Sequence, residues 1–184
     1  MHANAGYTPV ARLLHWTVAG LILFQIPLAY YMISLPLSPD KLANYALHKS
    51  MGLTIFGLSA ARLAWRWLHQ PPPLPAAMGI MERRLARLTH VLLYTITFAM
   101  PLTGWLGSSA ANFPVSLFGL VTLPDLVAPD RALHEALELT HRVLAYTLFA
   151  LFSGHLGAAL MHHFIRRDRV LVDMLPWGWG TDSE

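Results

Sequence analysis

The stretch that decides the fold runs from His141 to His155 and reads HRVLAYTLFALFSGH. After Arg142 it carries no charged residue, and a histidine stands at each end. These histidines are fourteen residues apart, which in an α-helix is a rise of about 21 Å with only about 40° of rotation between the side chains. The stretch therefore predicts a helix that presents two histidines on one face, at two depths of an apolar layer.

The composition of the whole chain favours an integral membrane protein. Of 184 residues, 55% are hydrophobic and 12% are charged, and the mean hydropathy is +0.45. Soluble domains usually carry about 25% charged residues, so this chain has too few to cover a surface that faces water. The formal net charge of +3 comes without any long basic run, so nucleic acid is not an expected partner.

Four apolar segments reach the roughly 20 residues that a helix needs to cross a bilayer. They cover about residues 9–35, 42–68, 87–106 and 137–165, and the third is expected to close near Gly104 and Gly107. Backbone groups in lipid must bond within their own segment, so each is predicted to be a helix. The chain is thus predicted to be a single all-α domain over residues 1–184, an integral membrane four-helix bundle surrounded by lipid. The link from Ser108 to Arg131 is either a simple loop or a segment lying along the membrane surface.

Basic residues are distributed unequally between the two ends of this bundle. Nine lie at one end, namely Arg12, Arg62, Arg66, Arg83, Arg84, Arg87, Arg166, Arg167 and Arg169. Four lie at the other end, namely Lys41, Lys49, Arg131 and Arg142. The positive-inside rule then predicts cytoplasmic N- and C-termini, and the first apolar stretch is expected to be retained as a span. Six tryptophans are interpreted as interfacial anchors, with Trp16, beside His15, as the exception to watch: Trp16, Trp65, Trp67, Trp105, Trp177 and Trp179.

Four of the ten histidines fall in matched positions on this topology. His48 and His141 share the outer depth, and His15 and His155 share the inner depth. Two facing imidazoles at each depth suit two six-coordinate haems. The chain has no cysteine, so such haems are non-covalent b haems, and a zinc or copper site, which needs three or four ligands at one point, is less favoured. The other hypothesis from these residues is a haem-free bundle with hydrogen-bonded interior histidines, acting as a transporter or scaffold.

Short motifs occur along nearly the whole chain. They are Tyr7-Thr8 with Arg12-Leu13-Leu14-His15-Trp16, then His48-Lys49-Ser50-Met51-Gly52, then His90-Val91-Leu92-Leu93-Tyr94 with Pro101, and finally His141, Tyr146, His155, Ala158-Ala159-Leu160, His162-His163-Phe164, Asp168, Leu171 and Leu175-Pro176. This pattern resembles the bacterial cytochrome b561 family of di-haem membrane cytochromes, and its fourth-helix part is the most specific. The family's ligand histidines fall on the four histidines already paired by depth.

The resemblance implies electron transfer through two b haems in the bacterial inner membrane by a multi-pass oxidoreductase. In the superoxide:ubiquinone oxidoreductase type, superoxide gives electrons on the periplasmic side and ubiquinone is reduced on the cytoplasmic side. The alternative is a cytochrome b subunit that passes electrons between a partner dehydrogenase or hydrogenase and the quinone pool. A surface that attracts superoxide should be electropositive, but the outer segments carry five acidic residues against four basic ones. The sequence therefore leaves the electron donor open.

Further residues are candidates for contacts with quinone and with the haem propionates. The resemblance implies a quinone site with proton transfer around His162 and His163, whose simpler interpretation is a polar helix end. His90 is a weaker candidate for contact with the inner haem or the quinone. Propionates bind basic side chains at membrane edges, and each candidate is also explained by contact with lipid headgroups. The outer candidates are Lys49 and Arg142, and the inner ones are Arg12, Arg87 and Arg166.

Overall fold

The computed structural model describes residues 6–176, and most of them are helical. Trp177 and Trp179 lie outside these described residues. The chain forms four long α-helices, with bounds α1 Pro9–Ser34, α2 Pro39–Leu68, α3 Ile80–Ala110 and α4 Arg131–Met161. A π-helical turn, His162–Arg166, continues α4, and a short 3-10 helix, Val172–Met174, follows it.

The four helices pack as the predicted all-α bundle. Neighbours along the chain pack against each other, so that α2 contacts both α1 and α3, and α3 contacts α4. Val18, Ile22 and Ile55 form a buried cluster between α1 and α2, and Leu148 and Phe152 of α4 pack on it. The outer end of the bundle holds the α1–α2 and α3–α4 links, and the inner end holds the start of α1 and the α2–α3 link.

Side-chain caps set where three of the helices begin. Thr8, Ser38 and Asp130 each precede a helix, and each side chain accepts a hydrogen bond from a backbone N–H of the first turn. Such caps satisfy donors that the helix itself leaves without a partner. Because of the Asp130 cap, α4 begins at Arg131 and is longer than its apolar part.

The third helix differs most from its predicted apolar span. It begins seven residues earlier, at Ile80, where the Glu82 carboxylate accepts a hydrogen bond from the Gly79 N–H at 3.1 Å. It also continues through Gly104 and Gly107, where the sequence predicts its end, to Ala110. A helix in a packed bundle tolerates glycine when a neighbouring helix comes close, and the nearest atom to a Cβ built on Gly107 is the Cβ of Leu137 on α4, at 3.4 Å.

Three helices among the described residues are long and apolar enough to cross a membrane by length and composition, namely Pro9–Ser34, Ile80–Ala110 and Arg131–Arg166. The second helix does not meet that criterion, although it has 30 residues. Its charged residues, Asp40, Lys41, Lys49, Arg62 and Arg66, lie toward both ends and lower its hydropathy. Because α2 packs between α1 and α3, it nevertheless belongs to the same bundle.

The link between α3 and α4 is a β-hairpin at its centre, which the sequence interpretation did not include. Strands Val115–Leu117 and Val121–Leu123 pair antiparallel, with Ser116 opposite Thr122. Gly119 turns the chain with a φ of 72°, in the left-handed region that glycine adopts without steric cost. The hairpin packs on α2 and closes the outer end of the bundle.

A buried hydroxyl on α2 fastens this hairpin. Ser50 is 2% exposed, and its Oγ accepts a hydrogen bond from the Phe118 N–H at 2.9 Å. The same Oγ lies 2.9 Å from the Ser116 carbonyl and 2.8 Å from the Ala46 carbonyl, so its single proton satisfies one of them. Ser50 therefore links the turn of the hairpin directly to the second helix, two residues after His48.

Replacing Ser50 by alanine is expected to destabilise the protein. The Phe118 N–H loses its acceptor in a buried place, which costs about 1–3 kcal/mol. Thermal unfolding of the purified protein in detergent should show a lower midpoint for Ser50→Ala than for the natural protein. The matched control is Ser34→Ala, whose exposed hydroxyl donates only to the Tyr31 carbonyl. Equal midpoints for the two variants would contradict a role of Ser50 in holding the hairpin.

Candidate functional site

The four histidines paired by depth in the sequence come together in two pairs. In the outer pair, His48 of α2 faces His141 of α4 with ring centroids 6.3 Å apart and planes at 71°. In the inner pair, His15 of α1 faces His155 of α4 with centroids 6.2 Å apart and planes at 75°. Helix α4 therefore contributes one histidine to each pair, as the spacing along it predicts.

The separation within each pair suits an axially ligated iron. Metal–imidazole bonds are about 2 Å long, and a metal bonded to one nitrogen of each ring holds the two ring centroids about 6 Å apart. Within residues 6–176 no hydrogen bond joins the two rings of either pair. The described residues contain no group of three or more histidine, cysteine, aspartate or glutamate side chains that could hold a metal ion. An iron that brings its own porphyrin nitrogens needs only the two protein ligands that each pair provides.

A large cavity adjoins the outer pair. Its volume is about 710 Å³, within the range of small-molecule and cofactor sites, and His48 and His141 both line it. The hairpin side of the cavity carries Lys49, whose Nζ donates to the Pro114 carbonyl at 2.7 Å and lies 5.8 Å from the centre of the Phe113 ring. The outer histidines, the cavity and the predicted propionate contact Lys49 therefore form one site.

The other outer candidate, Arg142, does not itself line the cavity. Its guanidinium donates at 2.7 Å to the carboxylate of Glu138, which does line the cavity. An i,i+4 pair of this kind is a common feature of solvated helices. The second basic side chain of the cavity is instead Lys41, whose Nζ donates to the Leu35 carbonyl at 2.7 Å.

The inner pair has additional aromatic neighbours. The ring of His90, on α3, lies 5.3 Å from the ring of His155, and the ring of Trp16 lies 5.3 Å from that of His15. His90 thus lies at the inner pair, as its sequence position suggested. The indole N–H of Trp16 donates to the Met174 carbonyl at 2.7 Å, so this predicted interfacial anchor also holds the C-terminal segment against α1.

The inner propionate candidates bind other parts of the chain. Arg12 donates to the Asp173 carbonyl at 3.0 Å, Arg166 pairs with Glu82, and Arg87 is exposed. The sequence interpretation used Arg62 only for membrane orientation. Its guanidinium is partly buried and lies 5.2 Å from the centre of the Tyr94 ring.

Arg62 lies fourteen residues after His48 on α2, at the inner depth of the bundle. It makes no hydrogen bond or ion pair within residues 6–176. A charged side chain at membrane depth usually marks a functional site. The signal that could have identified it is its position on α2, at the inner depth and on the helix that also carries His48.

The two candidates for quinone chemistry differ in their surroundings. His162 is 7% exposed, and its Nδ1 lies 2.5 Å from the Oδ2 atom of Asp168. The other carboxylate oxygen of Asp168 accepts the Val170 N–H at 3.0 Å, which holds the carboxylate in place. His163 is more exposed, and its ring packs edge-on against Phe164. The buried imidazole of one candidate, His162, thus faces the partly exposed carboxylate of Asp168, which follows the π-helical turn.

A four-helix membrane bundle with facing histidines at two depths defines a class of protein, the membrane-bound b-type cytochromes. The chain belongs to the prokaryotic cytochrome b561 family, whose model matches residues 6–177. It is therefore a bacterial membrane protein and an oxidoreductase that binds haem b and transfers electrons across the membrane.

Several known proteins are similar to this chain over nearly their whole length. Cytochrome b561 homolog 2 of Escherichia coli (strain K12) is 33% identical over 172 residues, which are 92% of this chain and 90% of that protein. Probable superoxide oxidase CybB of Yersinia pestis is 26% identical over 166 residues, 89% of this chain and 92% of that protein. Cytochrome b562 of Cereibacter sphaeroides is 26% identical over 185 residues, 95% of this chain and 98% of that protein.

Proposed function

We propose that this chain is a superoxide:ubiquinone oxidoreductase of the bacterial inner membrane, with both termini cytoplasmic. It holds two b haems by bis-histidine ligation, one between His48 and His141 and one between His15 and His155. The observation that carries the proposal is the near-identical separation of the rings, 6.3 Å and 6.2 Å, in two pairs that share one helix. Two interior histidine pairs with the same spacing have no comparable explanation as ordinary structural residues.

Bound haem supplies one-electron chemistry at its iron. The residues of the chain fix where that chemistry occurs. The rigid helix α4 keeps His141 and His155 about 21 Å apart along its axis, so one pair lies near each membrane face. The buried apolar cluster of Val18, Ile22 and Ile55 lies between the two pairs along α1 and α2. In the overall reaction two superoxide ions become two O₂, and one ubiquinone takes up two electrons and two protons to become ubiquinol.

The charges around the outer cavity favour an anionic donor, although the outer segments have no net positive charge. Arg131 pairs with Glu135 at 2.9 Å on exposed helix surface, and Arg142 pairs with Glu138. These two pairs leave three of the five outer acidic residues, namely Asp40, Asp125 and Asp130, and none of the three lines the cavity. Lys41 and Lys49 remain at the cavity with only carbonyl and hydroxyl partners. Two ammonium groups beside the outer histidines can attract a small anion, and the name of the Yersinia pestis relative refers to superoxide.

On the inner side, His162 and Asp168 are suited to supply protons to a quinone. The Nδ1 of His162 faces the carboxylate, which orients the ring and leaves Nε2 able to deliver and take up a proton. Arg166, at the end of the same turn, pairs with Glu82 and ties the turn to the start of α3. His163 lies beside this pair and is the second candidate for proton transfer.

Stopped-flow mixing of the purified protein with superoxide, with and without ubiquinone, tests this proposal. The expected result is rapid appearance of a sharp reduced α-band, which decays only when ubiquinone is present. A colourless protein would exclude haem binding and support a haem-free bundle. A coloured protein that superoxide does not reduce, and that co-purifies with a dehydrogenase or hydrogenase, would support the partner-subunit alternative.

Removing the charge of Lys49 is expected to slow reduction by superoxide. Steering of an anion depends on the local positive potential, so Lys49→Gln should lower the second-order rate constant about three- to tenfold at low salt, and the effect should shrink at high ionic strength. Lys49→Arg keeps the charge and the hydrogen-bonding capacity and should stay close to the natural rate.

The matched control for Lys49→Gln is Arg131→Gln, which removes an equal charge from an exposed ion pair away from the cavity. Steering at the cavity would be contradicted if Arg131→Gln lost as much rate as Lys49→Gln. It would also be contradicted if the loss of rate in Lys49→Gln did not change with salt concentration.

A further inference from the structure

The outer histidine on α4 has a hydrogen-bond partner on α3. The Oγ1 atom of Thr103 lies 3.1 Å from the Nδ1 atom of His141. The same Oγ1 donates to the Met100 carbonyl, one turn earlier on α3, at 2.9 Å. Thr103 therefore stands between its own helix backbone and the imidazole of the neighbouring helix.

The proposed ligation assigns the direction of this contact. A neutral imidazole carries its proton on one nitrogen only, so a His141 that is to bind iron through Nε2 carries its proton on Nδ1. A threonine hydroxyl has one proton to donate and two lone pairs to accept with. The Thr103 oxygen then accepts the hydrogen bond from the Nδ1–H of His141 and donates its own proton to the Met100 carbonyl.

The next residue on α3 brings the backbone against the same ring. A Cβ built on Gly104 would lie 3.3 Å from Cε1 and 3.5 Å from Nδ1 of His141. The absence of a side chain at Gly104 thus lets the two helices approach closely enough for the Thr103 hydroxyl to reach Nδ1. Thr103 and Gly104 act together on one face of α3.

The other ring of the outer pair lacks such a partner. The Nδ1 atom of His48 is buried and makes no hydrogen bond within residues 6–176. The two imidazoles of the outer pair therefore differ in basicity, because an acceptor on Nδ1–H raises the electron-donating strength of the ring.

We propose that Thr103 is a positioning residue that holds His141 as the Nε2 ligand and lowers the midpoint potential of the outer haem. The inference rests on the proposed bis-histidine ligation. A more basic imidazole would stabilise oxidised iron more than reduced iron, so a hydrogen bond from His141 to Thr103 would lower the potential of a haem that His141 holds.

Redox titration of the purified protein, followed at the α-bands of both haems, tests this inference. Thr103→Val keeps the shape of the side chain and removes the acceptor, so the outer haem should titrate at a higher potential while the inner haem stays unchanged. Thr103→Ser keeps the hydroxyl and should restore the natural potential. The matched control is Thr97→Val, a buried threonine on the same helix whose hydroxyl bonds only to the carbonyls of Leu93 and Tyr94.

Each outcome tests either the role of Thr103 or the proposed function. An unchanged outer potential in Thr103→Val, with both haems present, overturns the inference and leaves the proposed function intact. If Thr103→Val loses the outer haem, Thr103→Ser decides the question. A natural potential and full haem content in Thr103→Ser support the inference, whereas loss of the outer haem in Thr103→Ser overturns it. A natural protein without two haems contradicts the proposed function itself.

Discussion

The variant His141→Leu should retain one haem for each chain where the natural protein has two. The replaced imidazole is one side of the outer pair, and the inner pair draws on His15 and on His155, fourteen residues further along α4. Leucine is a good helix former and suits an apolar interior, so α4 and the inner pair should remain intact. The measurement is haem content per protein together with the reduced α-band.

The matched control for His141→Leu is His134→Leu. His134 lies on the same helix and lines the same cavity, but its Nδ1 is bonded to the Gly107 carbonyl at 2.9 Å and it faces no second histidine. This control should keep both haems. The reciprocal variant His155→Leu should lose the inner haem and keep the outer one. Loss of both haems, or of neither, in His141→Leu would contradict two independent pairs.

The histidine pairs could be predicted because helix geometry alone decides them. Once the stretch from His141 to His155 is read as one helix, the rise and rotation per residue place both side chains on one face at two depths. The antiparallel order of the helices then leaves His48 and His15 at the matching depths. The structure brings together the same residues, while their role as iron ligands stays a prediction.

The α3–α4 link could not be predicted because its structure depends on tertiary contacts. The hairpin is held by Ser50, a residue more than sixty positions earlier in the chain. Its apolar residues read equally well as a loop or a surface segment, since strands of three residues give almost no periodic signal. The continuation of α3 past Gly104 has the same origin, because the neighbouring ring of His141 explains that glycine and no local pattern does.

The partners of the basic residues also could not be predicted from the sequence. Arg62, Arg142 and Arg166 all fit the rule for membrane orientation, so the sequence could not tell which of them is held in an ion pair and which is not. Arg142 and Arg166 are in ion pairs with glutamates on the protein surface, whereas Arg62 lies over the Tyr94 ring near the inner pair. Sequence position sets the depth of a charge, and packing sets what it binds.

The variant His162→Gln should separate haem reduction from quinone reduction. Glutamine can keep a hydrogen bond to Asp168, but it cannot carry a proton at neutral pH. Both haems should therefore remain, and superoxide should reduce them at the natural rate, because the outer cavity is at the other end of the bundle. Reoxidation by ubiquinone should slow by at least about 100-fold, the usual contribution of a positioned proton donor.

Two further variants are compared with His162→Gln. Asp168→Asn removes the charge that orients the ring and should slow reoxidation less than His162→Gln, because the proton carrier itself remains. His163→Gln changes a neighbouring, more exposed ring and should have a small effect. Single-turnover reoxidation of the reduced protein by ubiquinone, measured at constant pH, compares all three. If His162→Gln reoxidises at the natural rate while His163→Gln does not, then His163 is the proton donor and the buried pair with Asp168 only shapes the π-helical turn.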